Sequence, residues 1–175
     1  MKKNVAVLAV NPVNGAGLFQ YIETFFECGI DFKVYAVADS REIRTNSGYV
    51  LCADDVVANL AGKEDEFDAL VFACGDAVPV FAKYADEPYN RSMMDVIGTF
   101  AAKGKILAGH CAAALIFDKA GVLDGARVAV HPLAAPGIKG GTAVAGESSV
   151  DSHFYTARDE KCLYLLLPEL AGVLS

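Results

Sequence analysis

The sequence predicts an α/β protein with a mostly parallel sheet covered by helices on both faces. Short runs of apolar and β-branched residues alternate with longer stretches of helical spacing. The apolar runs lack the polar alternation of a half-solvated strand, so they belong to strands buried on both faces. Glycines stand where the helical stretches end, which returns the chain to the next strand.

Val5–Val10 is the first strand, and Asn11-Pro12 breaks it. Leu18–Cys28 follows as a helix with Leu18, Ile22, Phe25 and Phe26 on one face. Phe32–Val37 and Ala69–Ala73 read as the next two strands. Tyr89–Lys103 sets Met93, Ile97 and Phe100 on one helical face and stops at Gly104. Lys105–Ala108 is a fourth strand, Ala112–Ala120 an alanine-rich helix ended by Gly121, and Arg127–Val130 a fifth strand. From Ile138 to Arg158, glycines and short alternation predict a loop and then an antiparallel hairpin at the sheet edge. Glu160–Leu174 is a leucine-rich helix interrupted by Pro168.

The 175 residues fit one domain spanning 1–175, 54% hydrophobic with mean hydropathy +0.33, enough to bury a sizeable core. A net charge of −7 and a pI near 4.9 argue against nucleic acid or an anionic membrane as partner, because both require a basic face. No apolar stretch approaches the ~20 residues of a membrane span. The run Val5–Val10 is short for a signal peptide and reads as a strand. Five dispersed cysteines without a C-x-x-C pair suit a reducing, cytoplasmic setting. Asn90-Arg91-Ser92 matches a glycosylation sequon that has no role in that setting.

The fragment "ILAGHCAAALIF", residues 106–117, places Cys111 between a strand and a helix. That is the layout of a nucleophile elbow, and Gly109 and Ala113 are the small flanking residues that such a tight turn needs. A helix N-terminus there lowers a thiol pKa and stabilises the thiolate. The bland reading is a structural cysteine packed as a small hydrophobe. His131 closes the strand "ARVAVHP" and so falls on the same carboxyl rim as Cys111. His110 adjoins Cys111 in sequence, with its side chain directed away, and His153 belongs to a solvated hairpin turn. Gly75 in "LVFACGD" offers a backbone N–H to a ligand, or is a plain tight turn. A metal site of Cys111 with His131 or His110 lacks a close-spaced ligand pair, so neither a metal nor another cofactor is expected.

Together these segments resemble the ThiJ/PfpI family, a branch of the class I glutamine-amidotransferase-like fold, over nearly the whole chain. "DEFDALVFACGD" is similar to its strand and Gly-Gly turn, "KGKILAGHCAAAL" to its cysteine elbow and "SSVDSHFYTARD" to its late hairpin. "AGVLDGARVAVHPLAAPGIKGG" and "EKCLYLLLPEL" complete the match. Ala112 stands where the archaeal protease branch has histidine, and "HPLA" at 131–134 is closer to the parkinsonism-associated deglycase branch. The resemblance implies a three-layer α/β/α sandwich with a mostly parallel flavodoxin-like sheet and an edge hairpin. It implies Cys111 as nucleophile, His131 as its catalytic neighbour, and backbone N–H groups of Gly75 and Ala112 as an oxyanion site. The implied activity is that of a cysteine-dependent hydrolase or a glyoxalase/deglycase acting on a small molecule or peptide, in a homodimer. A redox-sensing or chaperone-like protein without turnover is the alternative.

Three positions depart from the family pattern. Gly17 stands where a glutamate beside the cysteine is expected, and Glu23 and Asp76 are the candidate substitutes. Cys74 and Ala113 stand where glycines are usual.

Overall fold

The computed structural model describes residues 1–175 throughout. In chain order the elements are β1 (Asn4–Val10), α1 (Gly15–Glu27), β2 (Asp31–Val37), β3 (Glu42–Arg44), β4 (Val50–Cys52), β5 (Asp55–Val56), β6 (Ala69–Ala73), α2 (Phe81–Tyr84), α3 (Pro88–Ala102), β7 (Ile106–His110), α4 (Ala113–Lys119), β8 (Arg127–Ala129), β9 (Thr142–Val144), β10 (Ser148–Asp151), β11 (Phe154–Ala157) and α5 (Leu163–Leu174). Seven strands form one sheet in the order β10-β11-β7-β6-β1-β2-β5, parallel except for the antiparallel hairpin β10–β11 at one edge. Helices surround this sheet in the expected flavodoxin-like arrangement. None of them is long and apolar enough to cross a membrane.

The continuous apolar runs follow from position in the sheet. β1 and β6 are central and covered on both faces, so Val5–Ala9 and Ala69–Ala73 are essentially inaccessible to solvent. Each fully buried Val, Leu or Phe contributes about 1.5–3 kcal/mol of burial free energy, and these two strands anchor the core. α1 begins at Asn14, whose side chain accepts the Gly17 N–H at 2.6 Å. Gly104 and Gly121 adopt left-handed φ angles of 65° and 73° just past α3 and α4, as helix-ending glycines do. Asn90 of the sequon is buried, and its side-chain amide donates to the Tyr84 carbonyl at 2.8 Å.

Several expectations need correction. The Arg127 run does not join the main sheet. β8 pairs in parallel with β9 in a separate two-stranded sheet, because β11 already occupies the place beside β7. Side chains of the hairpin then satisfy β8: Arg127 N–H donates to Asp151 at 2.7 Å and Ala129 N–H to Thr156 Oγ1 at 2.8 Å. The final helix is not interrupted. A 3₁₀ turn over Glu160–Cys162 leads into α5, which runs through Pro168 because that residue lies on the exposed face. His153 lies in the hairpin turn as expected but is not simply solvated. Its ring packs on Phe154 at 4.3 Å between centroids, and its Nε2 is buried without a partner. β7 extends two residues beyond Ala108, which brings its end directly to Cys111.

Candidate active site

The elbow is built from three constraints on one residue. β7 ends at His110, α4 starts at Ala113, and Cys111 between them has φ 58°, in the left-handed region. A non-glycine residue there costs on the order of 1–3 kcal/mol and persists only where its surroundings enforce it. Here Cys111 N–H donates to the Ala157 carbonyl of β11 at 3.1 Å, and the Cys111 carbonyl accepts from His131 N–H at 2.8 Å. The small flanks are also required. A Cβ on Gly109 would overlap the Ala113 Cβ and lie 3.1 Å from the Phe72 carbonyl oxygen.

The thiol of Cys111 is half-buried, and its pKa is lowered from the ordinary value. The main cause is the side chain of Cys74, which acts as hydrogen-bond donor to it, and the Ala112 N–H at the start of α4 adds to the effect. Partial burial and the carboxylates of Glu160 and Asp159 oppose the shift without overcoming it. Cys74 follows β6 directly. The β6–β7 register pairs Phe72 with Gly109, and Cys74 and Cys111 each follow two residues later at the same end of the sheet. The Cys111 partner and burial push the Cys74 thiol well up, so of the two sulfurs Cys111 is the one that ionises first.

The other sequence candidates occupy definite places. His131 shares the cleft with Cys111, and its Nδ1 accepts the Leu133 N–H at 3.2 Å, which puts the ring proton on Nε2. The structure joins it to Cys111 through the backbone. The Ala112 N–H favours the charged form of both sulfurs, and the Gly75 N–H that of Cys74. Gly75 also has a packing role that the sequence did not suggest, since a Cβ there would lie 2.5 Å from Val13 Cα and overlap the Pro12 carbonyl. Asp76 is exposed on the rim of the cleft, whereas Glu23 is exposed on α1 and does not line it.

His110 accounts for Gly17. Its imidazole is 1% exposed, stacks on Tyr21 at 5.6 Å between centroids, and sets Nδ1 3.2 Å from the Tyr21 hydroxyl. Its other nitrogen has no partner and presses against Gly17, where a Cβ would lie 2.6 Å from Cε1 and overlap Nε2. The space that a side chain at position 17 would enter is therefore filled by an imidazole from β7. Burial lowers the His110 pKa to about 4, so the ring is neutral at neutral pH.

These groups open into a cleft of about 730 Å³ at the carboxyl ends of β1, β6 and β7. Asp159, Glu160, Lys119 and Lys161 supply charges of both signs around it. The sequence places Asp159 at the tail of the family hairpin and Glu160 at the start of the final helix, with no functional signal at either, and Cys74 stands out only as a departure. One signal for Cys74 was present: each of two successive buried runs, ALVFA and ILAGH, is followed at once by cysteine.

A strained cysteine elbow at the carboxyl edge of a parallel sheet defines a flavodoxin-like α/β protein with a cysteine lining its cleft. Residues 3–171 match the DJ-1/PfpI family, and the chain belongs to it. It is 60% identical over 174 residues to Protein ppBat of Bacteroides thetaiotaomicron, with 99% of each chain covered. A crystal structure from the same organism, provisionally described as a protease I, is also 60% identical, with 99% of each chain covered and a TM-score of 0.98. At the level of fold alone, DJ-1beta of Drosophila melanogaster superposes with a TM-score of 0.86 at 19% identity, covering 99% of this chain and 91% of that one.

Proposed function

We propose that this protein is a cysteine-dependent hydrolase or glyoxalase/deglycase-type enzyme with Cys111 as its nucleophile. The observation that carries this reading is Cys111 itself: a left-handed elbow residue whose lowered pKa favours the thiolate, opening into a large cleft. In this chemistry the thiolate attacks the carbonyl carbon of an aldehyde or acyl group. A C–S bond forms and the carbonyl electron pair moves to oxygen, where the N–H groups of Ala112 and Gly75 receive the charge. His131 gives an Nε2–H hydrogen bond to that oxygen or to a leaving group, and solvent supplies the proton that is finally transferred. Small carbonyl compounds and short peptides fit a cleft of this size. The proposed assembly is a homodimer, and light scattering after size exclusion tests it.

A second reading, oxidation of Cys111 without turnover, is favoured by the adjacent Cys74 thiol. The two separate by assay. Methylglyoxal, simple amides and peptides are offered to wild type, Cys111→Ser and His131→Ala. Turnover that vanishes in Cys111→Ser and drops by about 10²–10⁴ in His131→Ala, the range of a general acid, supports the enzyme. Absence of Cys111-dependent turnover on all three substrate types removes it.

A further inference from the structure

We propose that Cys74 is the resolving partner of Cys111 in a dithiol reaction that reduces hydroperoxides and leaves an intramolecular Cys74–Cys111 disulfide. The inference rests on the reading of Cys111 as an activated thiolate and adds a second residue and a substrate class to it.

Three observations meet at this pair. The first is placement. β6 and β7 are parallel neighbours with Phe72 paired to Gly109, and Cys74 and Cys111 each stand two residues past that pair, directly after the strand ends. Adjacent strands run about 4.7–4.9 Å apart, inside the 4.4–6.8 Å Cα separation that a disulfide spans. Both side chains line the same cleft, so the two sulfurs face one enclosed volume.

The second is access. Cys111 is half-buried and lines the cleft, whereas Cys74 is 2% exposed beneath it. A hydroperoxide entering the cleft meets Cys111 first, and the roles are therefore unequal. The third is the surrounding backbone. The Ala112 N–H lowers the pKa of both thiols and the Gly75 N–H that of Cys74, so a negative charge is supported on either one in turn.

The steps balance as follows. The Cys111 thiolate attacks the distal oxygen of the hydroperoxide. An S–O bond forms, the O–O bond breaks, and the departing alkoxide or hydroxide takes a proton. Sulfur loses two electrons and the peroxide gains them. The product is a neutral sulfenic acid, and this removes the charge that had kept Cys74 protonated. Cys74 then loses its proton and attacks the Cys111 sulfur. The S–S bond forms, the S–O bond breaks, and hydroxide leaves with that proton as water. A low-molecular-weight dithiol, oxidised to its own disulfide, returns both cysteines to thiols.

The test treats wild type, Cys74→Ser and Cys111→Ser with hydrogen peroxide in the presence of dimedone, which traps sulfenic acid, followed by peptide mapping. Serine retains a donor beside Cys111 and is nearly the size of cysteine. Alkylation of Cys111 in Cys74→Ser at several pH values verifies that the thiolate survives the change. The expected wild-type product is a Cys74–Cys111 disulfide with little dimedone adduct. Cys74→Ser should give roughly tenfold more adduct on Cys111 and progress to sulfinic acid without dimedone. With dithiothreitol as reductant, wild type should consume peroxide through many cycles, and Cys74→Ser should lose this turnover. Equal dimedone labelling of Cys111 in both proteins, with no disulfide, would overturn the resolving role and leave the thiolate reading intact. A Cys111 that neither oxidises nor alkylates faster than a free thiol would overturn both.

Discussion

Replacing Gly17 by alanine tests whether His110 fills the place that a glutamate is expected to occupy. In an exposed helix interior, glycine to alanine stabilises by about 0.8–1 kcal/mol. Gly17 lies in the first turn of α1, but its added Cβ would overlap His110 Nε2 and lie 2.6 Å from Cε1. That ring cannot swing clear, because it is buried at the end of β7 and held by Tyr21. Overpacking of this kind costs about 1–3 kcal/mol and outweighs the propensity gain, leaving Gly17→Ala about 1 kcal/mol less stable than wild type. With His110→Ala as background the obstruction disappears, and the same substitution becomes stabilising by a few tenths to about 1 kcal/mol. The two backgrounds should therefore differ by about 2 kcal/mol, a coupling well within the range for residues in contact. Urea unfolding followed by far-UV circular dichroism of the four proteins measures this. Equal effects of Gly17→Ala in both backgrounds would refute the contact and the account of the missing carboxylate. Gly17→Glu should follow the same pattern more strongly.

The remaining expectations concern pH, the thiol pair and one close backbone approach. His110 binds a proton near pH 6.5 when unfolded but only near pH 4 when folded. Below pH 6.5 the unfolded state gains protons that the native state refuses. Stability attributable to His110 is thus fully present above pH 6.5, declines as pH falls toward 4, and amounts to about 3 kcal/mol over that window. His110→Gln should remove this component, and identical pH–stability curves for the two proteins would contradict it. Cys74→Ala removes the donor that lowers the Cys111 pKa. The midpoint of iodoacetamide reactivity against pH should then rise, and an unchanged midpoint would dismiss Cys74 as the cause. Gly75→Ala places a methyl against Pro12 and Val13 backbone, which yields less readily than a side chain. A loss of about 2 kcal/mol or more is expected from urea unfolding, and a neutral effect would count against this approach.

The sequence alone determined the parallel α/β class, because strands covered on both faces must be apolar nearly throughout, and β1, β6 and β7 carry that pattern. It also located the elbow, since only small residues at 109 and 113 let strand and helix backbones approach. The segment between β2 and β6 gave no comparable signal. Its strands β3, β4 and β5 have only two or three residues each, too few to display a period. β8 carried a strand pattern, but pattern reports burial and not the identity of the neighbouring strand.

Tertiary structure alone decided the chemistry around Cys111. Cys74 and Cys111 are distant in sequence, and only the register of β6 on β7 makes them neighbours. The filling of the space beside Gly17 by an imidazole from β7 was hidden for the same reason: Gly17 and His110 share one volume, and volume is a property of the packed molecule. Local sequence records which residue types a strand or turn accepts. Which side chains meet is set by how those elements are stacked.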